Sequence, residues 1–209
     1  MKKLLVLAPH ADDAELGCGG TLARLLEEGA SVSVAAFSIA QDSIPPGLPP
    51  TIARDEFAEA MRRLGVPKEN VLVYDYPVRK FTYQRQDLLE DLVRLRKRLQ
   101  PDTVFLPTAH DLHQDHQVVA AEGLRAFKEI TVLGYELPWN HVDFSAQAFV
   151  TLAQRHMDAK WNALTAYRTQ LDLGRPYFQR EMVEGLARVR GVQIKAEYAE
   201  AFEVARLRW

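Results

Sequence analysis

The sequence predicts an α/β fold: one mostly parallel β-sheet with helices on both faces, built as a single domain over residues 1–209. Three observations predict it. Strand-like apolar runs alternate with amphipathic helical stretches through the first two-thirds of the chain. The first of those runs is continuously apolar, as strands buried on both faces are. No internal repeat, low-complexity tract or shift of composition divides the chain, and 209 residues suit one such domain with a core that needs no disulfide.

The elements follow in order. KLLVLA (3–8) is the first strand. GTLARLLEEGA (20–30) reads as a helix with Leu22, Leu25 and Leu26 on one face and Gly29 as its stop. SVSVAAFS (31–38) alternates as a strand does, and QDSIPPGLPP (41–50) is a proline-rich surface loop. TIARDEFAEAMRRLGV (51–66) reads as a helix capped by Thr51, with Ile52, Phe57, Ala60, Met61 and Leu64 as its apolar positions. NVLVYDY (70–76) is a strand, DLLEDLVRLRKRL (87–99) a helix, and DTVFLPT (102–108) a strand. HQVVAAEGLRAFKE (116–129) is a helix and ITVLGYE (130–136) a strand. This alternation implies right-handed βαβ crossovers and hence a parallel sheet. Beyond residue 140 the pattern gives a strand near 147–152, helices near 154–169 and 177–189, and a strand near 198–206.

A net charge of −2 with both signs interspersed lacks the basic footprint of a nucleic-acid or anionic-membrane binder. The apolar run from Leu4 to Ala8 is too short for a secretory core, and none approaches the roughly 18–20 residues of a membrane helix. The single cysteine, Cys18, cannot form an intramolecular disulfide framework. These readings predict a cytoplasmic protein, monomer or homo-oligomer, without nucleic-acid partners or membrane insertion.

The chemistry concentrates in two loops. VLAPHADDAELGCGG (6–20) leaves the first strand with His10, Asp12 and Asp13, and TAHDLHQDH (108–116) leaves a later one with His110, Asp111, His113, Asp115 and His116. Ligands of such sheets sit at the carboxyl ends of strands, so the two loops can meet. Adjacent carboxylates repel unless something positive sits beside them, and imidazole with carboxylate suits zinc or another first-row divalent ion. Two histidines, one carboxylate and open positions describe a catalytic rather than a structural site. Such a site also needs a general base and an oxyanion donor, and a second carboxylate and a third histidine are at hand. Taken singly, each loop also reads as a polar turn, with Asp115 capping the helix near His116. Gly17, Gly19 and Gly20 lack the dinucleotide spacing and read as permitting tight turns and close helix–sheet packing. Cys18 reads as a small packed side chain.

PHADDAELGCGG (9–20) and DLHQDH (111–116) together resemble the two signature motifs of the PIG-L/LmbE family of metal-dependent N-deacetylases. Pro9, His10, Asp12, Asp13, Gly19 and Gly20 match the first motif, with Ala11 in place of a second proline. Asp111, His113, Asp115 and His116 match the second. RDEFAEAMRRLGV (54–66), KWNALTAYRTQ (160–170) and YAEAF (198–202) resemble further stretches, with Tyr167 and Thr169 where His and Ser are common. The resemblance implies a Rossmann-like fold and hydrolysis of an N-acetyl group from an N-acetylglucosamine-containing small molecule or conjugate, using zinc or else Fe2+ or another divalent ion. It implies that His10, Asp13 and His116 hold the metal and that Asp12 is the general base. It further implies that His113 steadies the oxyanion, that Asp115 orients His113 and that Arg54 touches substrate. An ionised base and a protonated oxyanion partner together predict a bell-shaped pH profile. His141 and His156 read as structural.

Other chemistries share these residue types. An amidase acting on a thiol conjugate would use the same site and release a different product. A 2-His-1-carboxylate Fe(II) oxygenase needs no hydrolytic base, so Asp12 speaks against it. A nucleotide-sugar binding module would have no use for intact metal residues. Specificity is expected in loops 39–50, 77–86 and 137–146, where Phe81, Tyr83, Trp139 and Phe144 either stack on a sugar or cover the core.

Overall fold

The computed structural model describes residues 1–39 and 47–208, so positions 40–46 of the proline-rich loop lie outside the described residues. Seven strands form one sheet: β1 Lys3–His10, β2 Ser31–Ser38, β3 Val71–Val73, β4 Thr103–Pro107, β5 Thr131–Tyr135, β6 Ala148–Leu152 and β7 Tyr198–Arg206. Their order is β3-β2-β1-β4-β5-β7-β6. The five strands from β3 to β5 are parallel. Strand β7 is antiparallel to both β5 and β6. The expected Rossmann-like, mostly parallel sheet is therefore what forms.

Strand β1 shows why its sequence is apolar without interruption. Leu4, Val6 and Ala8 join the core on one face, under α1 (Asp13–Glu27), α2 (Ile52–Leu64), α5 (Gln154–Leu164) and α7 (Arg180–Gln193). Leu5 and Leu7 join the core on the other face, under α3 (Arg85–Leu99) and α4 (Gln114–Ala126). Both sides of the strand are buried, so a period of two cannot show as a polar alternation.

The chain order also fixes where a ligand can sit. From β1 the chain moves to β2 on one side, while β4 lies on the other with Leu4 opposite Thr103. Helix α1, leaving β1, covers one face, and α4, leaving β4, covers the other. Their entry loops part at this switch point and leave a crevice at the carboxyl edge.

Several boundaries differ from expectation. Helix α1 starts at Asp13 rather than Gly20, and breaks inside at Cys18 (φ −147°, ψ 19°). The glycines are helical, so they serve close packing and no turn: a Cβ on Gly17 would come 2.4 Å from Tyr135, and one on Gly20 2.5 Å from Leu152. Cys18 is buried and donates to the Ala14 carbonyl, a packed side chain as expected. Thr51 does not cap α2; its hydroxyl donates to Asp55. Strand β3 is an edge strand and ends at Val73, past which Tyr74 and Tyr76 set their rings near Phe37. The helix expected over 154–169 is split into α5 and α6 (Arg168–Asp172), with Tyr167 between them drawn toward the crevice.

Candidate active site

His10 is the last residue of β1 and Asp13 the first of α1, so a two-residue turn carries Ala11 and Asp12. The turn is closed by the His10 N–H donating to Asp13 Oδ2 at 2.7 Å. In the second loop Asp111 accepts the His113 N–H at 2.8 Å. His113, not Asp115, is the N-cap of α4: its Nδ1 accepts the Asp115 N–H at 3.2 Å. That cap aims the first turn of α4, with His116, back across the switch point.

Three donor atoms converge there. His10 Nδ1 and His116 Nε2 are 3.1 Å apart, and Asp13 Oδ2 lies 3.3 and 3.2 Å from them. Zinc bonds of about 2.0–2.1 Å place neighbouring tetrahedral ligand atoms roughly 3.3–3.4 Å apart, close to this triangle. The outer nitrogens are engaged: His116 Nδ1 pairs with Asp111 Oδ2 at 2.7 Å and His10 Nε2 with Asp115 Oδ2 at 3.1 Å. A carboxylate can only accept, so each imidazole donates outward, and the carboxylates favour positive charge at the centre of the triangle, carried by the imidazoles as protons or by a cation that inward lone pairs would bind in their place. Burial acts to lower the histidine pKa values, yet hydrogen bonds donated to the Asp115 and Asp13 carboxylates bring His10 up to about 9. The Asp13 charge and the Asp111 hydrogen bond likewise bring His116 up to about 10, against the effect of burial. Burial would raise the Asp13 carboxyl, but the two histidines hold it well below the usual range. The donor set therefore fits a first-row divalent ion. His113 belongs to a looser cluster with His10 and His116, whose candidate ligand atoms span up to 4.8 Å. Asp13, in the tighter triangle, could take the third position.

Asp12 and His113 face a pocket of about 430 Å³ that opens above the triangle. Asp12 occupies the N-cap position of α1, yet its side chain makes no capping bond and stays directed at the pocket. Burial and the adjacent Asp13 raise its carboxyl to about 6. His113 is held in one tautomer, since Nδ1 accepts a backbone N–H and Nε2 must then carry the proton. Burial, with His10 and His116 nearby, lowers its pKa. With Nδ1 accepting, it presents an Nε2–H donor to the pocket.

The remaining sequence candidates fall as follows. The Asp115 carboxylate does not orient His113, because it is already committed to His10 Nε2 and to the backbone N–H groups of Arg79 (2.6 Å) and Phe81 (3.3 Å). Arg54 does not line the pocket, because its guanidinium is drawn to Asp75 at 2.7 Å. His110 is exposed and faces Glu203 at 3.3 Å. His156 is structural, held by Glu27 at 2.6 Å and by the Ala153 N–H. Of the four loop aromatics, Trp139 lines the pocket, Phe81 is core, Tyr83 is exposed and Phe144 stacks on His141.

The structure gives roles to residues that the motifs left without one. Asp111, a matched position of the second motif, orients His116. Glu56 accepts both the N–H (2.9 Å) and the hydroxyl (2.6 Å) of Thr169, tying α2 to α6 at the pocket wall. Its signal was available, since Glu56 lies on the same helical row as Ile52, Ala60 and Leu64 and so had to be buried. The Tyr167 hydroxyl lies 2.6 Å from the Ala11 carbonyl and 2.5 Å from Glu15 Oε1. Burial pushes the Glu15 carboxyl up to about 8. The Tyr167 hydroxyl thus joins Glu15 to the Ala11 carbonyl and braces the turn that carries Asp12.

A family model described as GlcNAc-PI de-N-acetylase (PIG-L) matches residues 5–127. A protein of Escherichia coli strain K12 described as the uncharacterized deacetylase YaiS is 27% identical over 175 residues, covering 80% of this chain and 91% of that protein. The crystal structure of a conserved protein from Thermus thermophilus superposes with a TM-score of 0.81 at 28% identity, covering 100% of this chain and 97% of the other. The N,N'-diacetylchitobiose deacetylase of Pyrococcus horikoshii follows at 0.80 and 22%, covering 97% and 83%. GalB, a 4-carboxy-2-hydroxymuconate hydratase of Pseudomonas putida, scores 0.80 at 22%, covering 100% and 98%. The last two likenesses speak to the fold alone, and the hydratase shows that this fold does not by itself name a reaction.

Proposed function

The chain belongs to the GlcNAc-PI de-N-acetylase (PIG-L) family, and on that premise we propose that it is a zinc-dependent N-deacetylase. Its one catalytic domain spans residues 1–209 and works in the cytoplasm on an N-acetylglucosamine-containing small molecule or conjugate, releasing acetate and a free amine. Fe2+ or another divalent ion can take the place of zinc. The observation that carries this reading is the triangle of His10, Asp13 and His116 with Asp12 and His113 beside it in one pocket.

His10, Asp13 and His116 hold the ion. When bound, it supplies Lewis acidity toward an amide carbonyl and lowers the pKa of water. Asp12 takes a proton from the attacking water and returns it to the departing nitrogen. His113 donates its Nε2–H to the oxygen of the tetrahedral adduct. Asp111 and Asp115 act behind the ligands, fixing the tautomers of His116 and His10. Glu56 and Tyr167 keep the pocket wall and the Asp12 turn in place.

Incubating zinc-loaded protein with N-acetylglucosamine and its conjugates, with free amine and acetate as the readouts, tests the function. Exhaustive chelation is expected to abolish turnover and added zinc to restore it; full activity in the chelated protein would exclude the mechanism. The pH dependence tests the roles. Asp12 serves as a base only when ionised, so activity should be present above its pKa and fall as pH drops through about 6, or lower still when a cation is bound beside it. His113 donates as a neutral imidazole, so His113→Gln should lower kcat while the limbs of the profile stay where they were. A limb that vanishes in His113→Gln would show that His113 titrates in turnover, against the tautomer assigned here.

A further inference from the structure

The amino edge of the sheet, opposite the pocket, carries a concentration of positive charge that the net value of −2 conceals. Arg96 donates to the Ala126 carbonyl, Arg206 to that of Phe127 at 3.1 Å and Arg208 to that of Glu129. Guanidiniums from α3 and from the end of β7 thus gather on residues 126–129, a stretch that includes Lys128. The edge continues through Thr131, whose hydroxyl bonds both the N–H and the carbonyl of Arg208 at 3.1 Å. Thr131 pairs with Thr103, and beside Thr103 the Asp102 carboxylate accepts the N–H groups of Lys2 (2.8 Å) and Lys3 (3.0 Å). Strands lie about 4.8 Å apart, so β1 and β5 are roughly 10 Å apart along this edge.

Among the described residues no carboxylate pairs with Lys2, Lys3, Arg96, Lys128, Arg206 or Arg208. Asp102 is occupied by backbone N–H groups and by the Thr103 hydroxyl, which leaves Glu129 as the other acid of the stretch. Cations at the carboxyl end of a helix offset its dipole and satisfy its last carbonyls, which accounts for Arg96 and Lys128. It does not account for Arg206 and Arg208 at the end of a strand, or for Lys2 and Lys3 at the start of one. A carbonyl takes one of the five N–H groups of a guanidinium and none of its charge. Two exposed apolar side chains lie beside these cations. Met1 precedes Lys2 and Lys3, and Leu207, 61% exposed, stands between Arg206 and Arg208.

We propose that this edge is a docking surface for an anionic lipid bilayer, with the six cations on headgroup phosphates and Leu207 reaching the acyl boundary beneath them. A nucleic-acid backbone or an acidic peptide would be matched by the cations alone. Exposed aliphatic side chains set beside cations match a bilayer, where charge lies over hydrocarbon. The attachment is peripheral, since no helix among the described residues is long and apolar enough to cross a membrane. It also fixes an orientation. The triangle lies at the carboxyl edge, so a docked molecule opens its pocket toward water, and whatever the pocket binds arrives from solution. The docking does not depend on the deacetylase reading.

Co-sedimentation with vesicles is the test, and it needs no turnover. Partition onto phosphatidylcholine vesicles carrying about 30% phosphatidylglycerol should exceed that onto pure phosphatidylcholine by about tenfold or more, and should fall as salt is raised. Lys128→Glu and Leu207→Ser, both at exposed positions, should each lower partition onto the anionic vesicles by about fivefold or more. Lys195→Glu makes the same charge change just before β7, at the carboxyl edge, and should move partition by less than about twofold. Unchanged thermal melting of the three variants separates lost binding from lost folding. Equal partition onto the two vesicles, or none onto either, would overturn the docking surface. So would a preference untouched by both Lys128→Glu and Leu207→Ser, or an equal loss in Lys195→Glu. Duplex DNA that binds the protein through Lys128, with vesicles left unbound, would assign the edge to nucleic acid and overturn it as well.

Discussion

Asp13→Ala is expected to lose metal and activity together, whereas Asp12→Asn keeps the metal and loses about 10²–10⁴ in kcat, the usual worth of a general base. The two carboxylates are adjacent in sequence and differ in what surrounds them. Asp13 Oδ2 stands 3.2 and 3.3 Å from the two inward-facing imidazole nitrogens and is fixed by the His10 N–H. Its removal takes one corner from the triangle, and the affinity lost should exceed the 10–100-fold typical of an outer partner. Asp12 faces the pocket and is not a corner. Asparagine keeps its shape and removes only its ability to take a proton, an interaction that belongs to the transition state, so KM should move little. His116→Ala should behave as Asp13→Ala does. The measurement is metal content by elemental analysis beside steady-state kinetics. Metal lost from Asp12→Asn and retained by Asp13→Ala would reverse the two roles, and full activity in both would move the site elsewhere.

Much of this was legible in the sequence, and for physical reasons. The parallel sheet showed because buried strands and amphipathic helices carry different periods. The two loops could be brought together because the carboxyl edge is where such sheets open. What motif spacing could not give was the pairing behind the ligands. Asp115 lies two residues from His113 and 105 from His10, and sequence proximity favoured the first. The cap geometry of α4 turns the His113 ring onto the Asp115 backbone and leaves the carboxylate free to reach His10. Arg54 was misplaced for a similar reason: a helix arginine faces whichever carboxylate the fold brings near, here Asp75 on the segment after β3. Helix α1 was begun at Gly20 because glycines read as a break. Three glycines fit inside the helix because Tyr135, Lys160 and Leu152 press against them, and only the tertiary contacts reveal that.

Those contacts lead to the largest stability effect expected: Glu200→Ala should cost about 3–5 kcal/mol, the usual penalty for stranding one member of a buried ion pair. In an unbroken helix the Leu16 carbonyl would accept the Gly20 N–H. The break at Cys18 opens that bond, and two remote side chains take up its halves. Lys160 Nζ donates to the Leu16 carbonyl at 2.8 Å, while Glu200 accepts the N–H groups of Gly20 (3.0 Å) and Thr21 (2.6 Å). Lys160 and Glu200, both buried, pair with each other at 2.7 Å. The KWNALTAYRTQ and YAEAF stretches thus supply a brace for the helix that begins at Asp13, next to Asp12. Alanine at 200 would leave a buried ammonium without its counter-charge and two N–H groups without acceptors. Glu200→Gln should cost less, since it keeps an acceptor for one of them. Lys160→Met with Glu200→Gln should cost less than the sum of the single changes, because removing both charges leaves neither stranded. Urea unfolding of the four proteins, read at constant m, measures this. A loss below about 1 kcal/mol for Glu200→Ala, within the range of ordinary substitutions, or strict additivity in the double variant, would remove the brace. Because the same helix presents Asp13, one corner of the triangle, metal occupancy in the Glu200 variants should fall along with stability, in proteins whose proposed ligands are all intact.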